Sequence, residues 1–524
     1  MRKPNCATHW ARRALWASVL SALLGACAAP GPTPTDRDAT APGAKDYDTP
    51  HALPTPKDSF KTDTFMTTTT NTAASPIDSL EIVGVGISVE TWRNHPSYPK
   101  NNLWTAVEQS KGAYIISDDP RQYPKDLSQW QMMAGKRNED MSDMAMRDFM
   151  DRYPLPIAVV SADLPTSSKQ SDKEVERVRR ANAASFVNTG GGPESSYTVV
   201  GDFDGLLTQA GQVMNSYLND NPDKLWNTLF TTFDEHLDIP AVGVGAADDV
   251  IYRALPYKKI DPTKFQKMAA DAYRPKHARI LSDSQTMIAM VRRERIDWLR
   301  PYADAVLDHM TVSLKKQSRN WSEFAGWLRA PAQPFVPTPF IPKPWTRYQI
   351  DQFDHLEILG RIYRPQVVSY LDEHGKPVSK EERKTRMEAA LRAVLTPVGG
   401  KMPARLFYDY NSVQDERNAT ALRYLPFVGA LSAVDSEWDL HDPQKTYNLT
   451  QILGDLGAGS PFVSVALASM AGVQSGGATL IANLRRDDGA TLLLVTPPTA
   501  EERKRDAAIE RPFQPGAYAR IRKE

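Results

Sequence analysis

Only two cysteines occur in 524 residues, Cys6 and Cys27, and both stand near the N-terminus. Everything beyond them must fold without a disulfide, a thiolate metal centre or a cysteine nucleophile. Such a body depends on buried apolar area, so the spacing of its apolar residues is the main guide to its architecture. Strand and helix patterns alternate from residue 80 onward, which predicts an α/β fold with substantial parallel character. At about 150 residues per domain, the length suits two folded units. We read α/β domains over 79–330 and 346–499, a Pro-rich strap over 331–345 between them, and a charged tail over 500–524.

Leu80–Val89 reads as a long strand whose Gly84 and Gly86 mark places where another backbone comes close. Leu103–Gln109 reads as helix and Ala113–Ser117 as strand. Asp140–Arg152 reads as an amphipathic helix with Met141, Met144, Met146, Phe149 and Met150 near one face. Leu155–Ser161, Tyr197–Gly201 and Ile239–Val244 read as buried strands, with Leu206–Leu218 and Leu225–His236 helical between the last two, and Ser284–Leu307 continues in helix, broken near Pro301. The prolines from Pro331 to Pro344 forbid a helix and suit an extended strap or a Pro-rich ligand for an aromatic groove. Beyond it, Val367–Leu371 leads into a hairpin apex at Asp372–Gly375. Lys380–Leu395 is predicted helical, Ala404–Tyr410 a strand, Pro461–Ala471 a buried helix, and 478–483 with 490–495 two strands around the polar turn Arg485–Gly489.

At the N-terminus, Arg2, Lys3, Arg12 and Arg13 precede an apolar run over Ala14–Leu24 that is too short to cross a bilayer. The run ends in Leu24-Gly25-Ala26-Cys27, which resembles a bacterial lipobox. That resemblance implies cleavage before Cys27, acylation of its sulfur and anchoring to a membrane by lipid, with palmitate among the expected chains. Ala28 at the next position implies the periplasmic face of the outer membrane. An ordinary secretory signal cut within Ala22–Ala29, with Cys27 incidental, is the alternative. Residues 28–78 are rich in Pro, Thr, Ala and Asp and read as a disordered tether spanning roughly 40 Å.

Lys plus Arg equals Asp plus Glu at 63 each, which leaves no global field to favour nucleic acid. Gly84-Val85-Gly86 lacks the third small residue of a dinucleotide site and fits a core strand better. No GxSxG elbow occurs, since Gly457-Ala458-Gly459-Ser460-Pro461 places proline after the serine. The nine histidines are scattered without ligand spacing, and no metal or cofactor is expected. Asp202 and Asp204 follow a strand, where loop carboxylates can serve function, although Asp204 also suits an N-cap; Asp118 and Asp119 read as turn residues.

Several motifs in order resemble the type VI lipase adapter family. They are the strand at 80–89, Ser117-Asp118-Asp119-Pro120, Phe233-Asp234-Glu235-His236 with Ile239-Pro240, and Asp297 to Tyr302. Tyr363-Arg364-Pro365, Leu371 to Pro377, Ala404–Asp409 and Ser460-Pro461-Phe462-Val463 complete the set. The resemblance implies a non-enzymatic, chaperone-like adapter that binds a lipase effector and hands it to the spike protein of a type VI secretion system. The C-terminal half also resembles a degenerate thiolase-like β-ketoacyl synthase half. On that resemblance Asp455 stands where those enzymes carry one catalytic histidine, Asn411 near the other, and the nucleophilic cysteine has no counterpart. Two alternatives remain at this stage: a lipid-anchored envelope enzyme using Asp202, Asp409 or Asp455, and a periplasmic lipoprotein inhibitor of a lipase. An adapter that loads cargo inside the cell also calls for a cytoplasmic pool, which the leader does not predict.

Overall fold

Ser79–Val89 forms β1, a strand at the centre of a sheet drawn from both halves of the sequence. The computed structural model describes residues 76–93, 102–117, 157–162, 196–199, 212–217, most of 224–248, 282–306, 327–338, 344–410 and 419–508, with isolated positions between 129 and 145 and at 341. After β1 come β2 (Trp92–Arg93), β3 (Ile157–Ala162), β4 (Ser196–Val199), β5 (Gln212–Tyr217), β6 (Ala241–Asp248) and β7 (Ser284–Val291). Past the Pro-rich segment follow β8 (Gly360–Tyr363), β9 (Gln366–Ser369), β10 (Arg405–Asp409), β11 (Thr446–Asn448), β12 (Thr479–Asn483) and β13 (Gly489–Thr496). The principal helices are α1 (Leu103–Ser110), α2 (Lys224–Glu235), α3 (Arg347–Asp354), α4 (Lys380–Val394), α5 (Leu425–Val434), α6 (Leu449–Leu453), α7 (Ser460–Ser475) and α8 (Ala500–Ala508).

Among the described residues the strands run in the order β11-β10-β12-β13-β8-β1-β7-β6-β3-β5-β4, with β2 beside β1 and β9 beside β13. β10 lies parallel to β11 and β12, and β3 parallel to β5 and β6. The junction is antiparallel: β1 pairs along its length with β7, and its first residues pair with β8, Ser79 opposite Tyr363. The strands on either side of the Pro-rich segment therefore share one sheet. The mixture of parallel and antiparallel pairs with helices confirms the mixed α/β class.

The two glycines of β1 do what their positions predict. An added Cβ at Gly84 would meet the Ala145 carbonyl oxygen at 2.0 Å, and one at Gly86 would meet that of Met141 at 1.9 Å. Only a bare strand admits the segment bearing Met141 and Ala145 so closely. Capping explains several helix boundaries. Asn102 caps α1, Ser379 accepts the Glu382 N–H at 3.1 Å to start α4, and Pro461 stands in the first turn of α7. Helix α7 is buried from Ser460 to Gly472, as its apolar composition predicts.

Several elements differ from expectation. Residues 212–217 are strand, because they pair with β3 and β4 and that ladder overrides an ambiguous apolar spacing. Ser284–Val291 is strand because it lies between β1 and β6. Buried on both faces, it shows no alternation and reads like helix. A 3-10 segment follows at Arg293–Leu299, and the helical turn Arg300–Ala303 contains Pro301 rather than breaking there. Ala113–Ser117 is extended but unladdered, held where the Ile115 N–H donates to the Ile452 carbonyl at 3.0 Å. The charged segment from 500 opens as α8, where Thr499 and Glu502 form a reciprocal capping box and buried Asp506 accepts the Ile358 N–H at 3.0 Å. Cys27, Asn411, Asp118, Asp119, Asp202 and Asp204 lie outside the described residues, as do residues 28–75.

Candidate functional site

Among the singled-out residues that the structure describes, Asp409 and Asp455 come together. Asp409 ends β10, whose parallel neighbour β12 ends at Asn483, so the carboxyl ends of both strands point to one place. The segment leaving β12 carries Arg485 into that place. Its Nη1 lies 2.9 Å from Asp409 Oδ2 and its Nη2 2.6 Å from Asp455 Oδ1. Thr450, at the start of α6, and Ser460, at the start of α7, both donate their hydroxyls to Asp409. The Gly457 N–H donates to Asp455 Oδ1 at 2.9 Å, and the Asp455 carbonyl accepts the Ser282 N–H at 3.0 Å.

Both carboxylates are buried, at 2% and 1% exposure. Burial alone pulls the Arg485 guanidinium down, but the two carboxylates and their hydrogen bonds outweigh it and hold the pKa above the ordinary arginine range. The cluster thus fixes one cation and two anions at the N-terminal end of α7, whose dipole favours the surplus negative charge. Chemically it is a clamp joining β10, the α6–α7 turn and the β12–β13 turn. Sequence reasoning named the two aspartates and missed Arg485, because Arg485-Arg486-Asp487-Asp488-Gly489 reads as a solvated hairpin apex.

A second cluster of like composition lies at the far end of β1. Glu90, just past β1, Asp283, just before β7, and Arg137 are all buried. Arg137 Nη1 lies 2.6 Å from Asp283 and Nη2 3.3 Å from Glu90. The Asp283 N–H donates to Glu90 Oε1 at 2.7 Å, and Asp140 nearby is held by Lys136 at 2.9 Å and Arg93 at 3.4 Å. Burial, then the neighbouring Asp283, pushes the Glu90 carboxyl up to about 7, with Arg137 pulling against both.

The motif residues themselves pair across the sequence. Asp234 of the Phe233-Asp234-Glu235-His236 motif receives Arg364 of the Tyr363-Arg364-Pro365 motif in a two-pronged contact at 2.7 and 2.9 Å, and Asp234 also accepts the Ile77 N–H. Arg300 reaches Asp297 at 2.8 Å and grips Asp354 at 2.7 and 2.9 Å. Ser460 of the Ser460-Pro461-Phe462-Val463 motif donates to Asp409. Asp234 with Arg364, and Asp409 with Ser460, thus join motifs that lie far apart in the sequence. Among the described residues no group of His, Cys, Asp and Glu is placed to hold a metal ion, and no helix is long and apolar enough to cross a membrane.

Fold and clusters together define a mixed α/β protein whose sequence halves are joined by one sheet and by buried or half-buried ion pairs. Family models described as type VI lipase adapter protein Tla3, N-terminal and C-terminal, match residues 78–267 and 359–497, more than half of the chain. The chain belongs to the type VI lipase adapter family. Among solved structures, a type II polyketide acyl-carrier protein in complex with its ketosynthase, AntDE:AntF, is similar at 10% identity and a TM-score of 0.38, covering 80% of this chain and 100% of that one. A ketosynthase from the bacillaene synthase of Bacillus amyloliquefaciens matches at 10% identity and 0.36, covering 81% and 77%. OleA of Xanthomonas campestris matches at 10% and 0.32, covering 80% and 98%. The fold described above rests on its own strands and helices rather than on these likenesses.

Proposed function

We propose that this protein is a non-enzymatic adapter that binds a lipase effector and presents it for delivery by a type VI secretion system, with the spike protein as the receiving partner. The observation that carries the reading is membership of the adapter family through both halves of the chain. The geometry around Asp409 and Asp455 supports it. A general base needs a reachable carboxylate, whereas these two are buried and bonded to Arg485, Thr450, Ser460 and Gly457. On the thiolase-like reading of the C-terminal half, the place of a catalytic histidine is taken by one leg of a structural clamp, leaving a scaffold for binding.

Co-expression with a lipase encoded beside this gene tests the proposal. A stable complex on size exclusion, retained when Asp455→Asn is introduced in a folded variant, is the expected result. Absence of any complex with that lipase, or robust hydrolysis by the purified chain alone, overturns it. The leader and Cys27 support a lipid-anchored pool on the periplasmic face of the outer membrane, whereas the adapter role calls for a cytoplasmic loading pool. Fractionation of cells carrying wild type and Cys27→Ser tests this: anchoring predicts loss of the membrane fraction in the variant, and unchanged partition refutes it.

A further inference from the structure

Among the described residues, eight large apolar side chains stand open to solvent. Five of them, including Val367 on β9, Leu425 on α5 and Val473 on α7, belong to different segments. The other three lie together. Trp327 and Leu328, just before the Pro-rich segment, are 43% and 65% exposed, and Val336 within it is 69% exposed, the highest of the eight. Exposed apolar residues standing singly are ordinary, whereas a cluster of them marks a contact surface.

A stack of rings holds this cluster in place. Phe335 packs against the core, its ring parallel to Trp298 at 5.8 Å, edge-on to Tyr302 at 5.3 Å and to Trp327 at 6.3 Å. The Tyr302 hydroxyl donates to the Pro334 carbonyl at 3.2 Å, and the Leu328 N–H donates to the Ala305 carbonyl at 2.8 Å. Phe335 thus turns inward, while its neighbours Pro334, Val336 and Pro337 remain exposed. Among the described residues, the backbone from Ala330 to Pro337 takes part only in the bond from Tyr302, which leaves its other polar groups open to a second protein. Prolines and an anchored ring fix the surface before anything docks, which lowers the entropic cost of docking.

Charge around the patch narrows what can cover it. Arg300 is paired with Asp297 and Asp354, and Arg347 with Asp304. Arg329, exposed and adjacent to Leu328, has no carboxylate partner among the described residues. The surface is therefore apolar and aromatic with one unmatched cation, complementary to an apolar face that bears a carboxylate. A second copy of the chain fits poorly. A two-fold contact sets the same patch against itself and offers Arg329 another arginine.

We propose that this patch is the seat of the lipase effector, which meets Trp327, Leu328 and Val336 with an apolar face and Arg329 with a carboxylate. The inference rests on the adapter reading and names the surface through which it acts. Tryptophan and arginine are among the residue types that carry most of the affinity at protein contacts.

The full chain and the lipase encoded beside its gene are purified, and Kd is read by calorimetry, with thermal melting to confirm that each variant is folded. Leu328→Asp and Val336→Asp are each expected to weaken binding about thirtyfold or more, and Arg329→Glu about tenfold. Leu425→Asp, at a comparably open site on α5, is expected to leave Kd unchanged. Should the apolar variants not fold, Arg329→Glu decides alone. A wild-type complex whose Kd is the same in the patch variants overturns this proposal and leaves the adapter reading standing; absence of the wild-type complex overturns both. Self-association of the chain alone that the patch variants dissolve, with the lipase Kd unchanged, assigns the patch to a second copy and likewise overturns the proposal.

Discussion

The clamp at Asp409 and the cluster at Glu90 have the same inventory, two buried carboxylates around one buried arginine, yet they are wired differently. Asp409 receives two hydroxyls besides Arg485, and Asp455 receives a backbone N–H. Glu90 is held by one N–H at 2.7 Å and a longer guanidinium contact at 3.3 Å, with Asp283 pressing on it. The difference teaches that the same inventory of charges can be held by very different numbers of donors: at Glu90, burial and then the neighbouring Asp283 push the carboxyl up to about 7 against the pull of Arg137.

The largest expected effect breaks the first cluster. Arg485→Met leaves two buried carboxylates without their cation and should cost about 3–5 kcal/mol, read as a drop in the urea midpoint at pH 7. A loss under 1 kcal/mol would mean the hydroxyls alone hold Asp409. Next comes the second cluster. The folded-state pKa of Glu90, raised to about 7, exceeds that of the unfolded chain. Between about pH 4.5 and 7 the native state keeps a proton that the unfolded chain has released, so stability falls as pH rises through that window, by up to about 3 kcal/mol. Glu90→Gln should flatten this slope in denaturation series from pH 5 to 8, and an unchanged slope would refute the assignment.

Smaller substitutions sharpen the contrast by making one cluster resemble the other. Thr450→Val and Ser460→Ala each remove one hydroxyl from Asp409 and should cost about 1–2 kcal/mol, with effects that do not add because the donors share a carboxylate. Strict additivity in a double-mutant cycle would deny the shared network. Lys136→Gln loosens only the half-exposed partner of Asp140 and should cost about 0.5 kcal/mol or less, with the loss fading at high salt.

How much of this was legible in the sequence depended on whether a signal was local. Gly84 and Gly86 announced a close approach, Lys380–Leu395 announced a helix, and Asp372–Gly375 announced a turn, because each rests on neighbouring residues. Thr499 and Glu502 carried the same kind of announcement for α8, and it was obscured by the charge of the segment. β5 and β7 were misread because their strand character comes from partners elsewhere in the chain. Arg485 was hidden for the same reason: a polar turn and a buried counter-ion look alike until the β10–β12 register brings the turn against Asp409.

β1 owes one part of its pairing to β7 and another to β8, whose Tyr363 faces Ser79. On the ribosome, at about 5–20 residues per second, the chain between those two positions takes roughly 15–60 s to emerge. Throughout that interval the central strand has an open edge, so the polypeptide cannot lock into its mature form early. Synthesis order thus leaves the β8-facing edge of β1 unpaired until residues beyond the Pro-rich segment have been made.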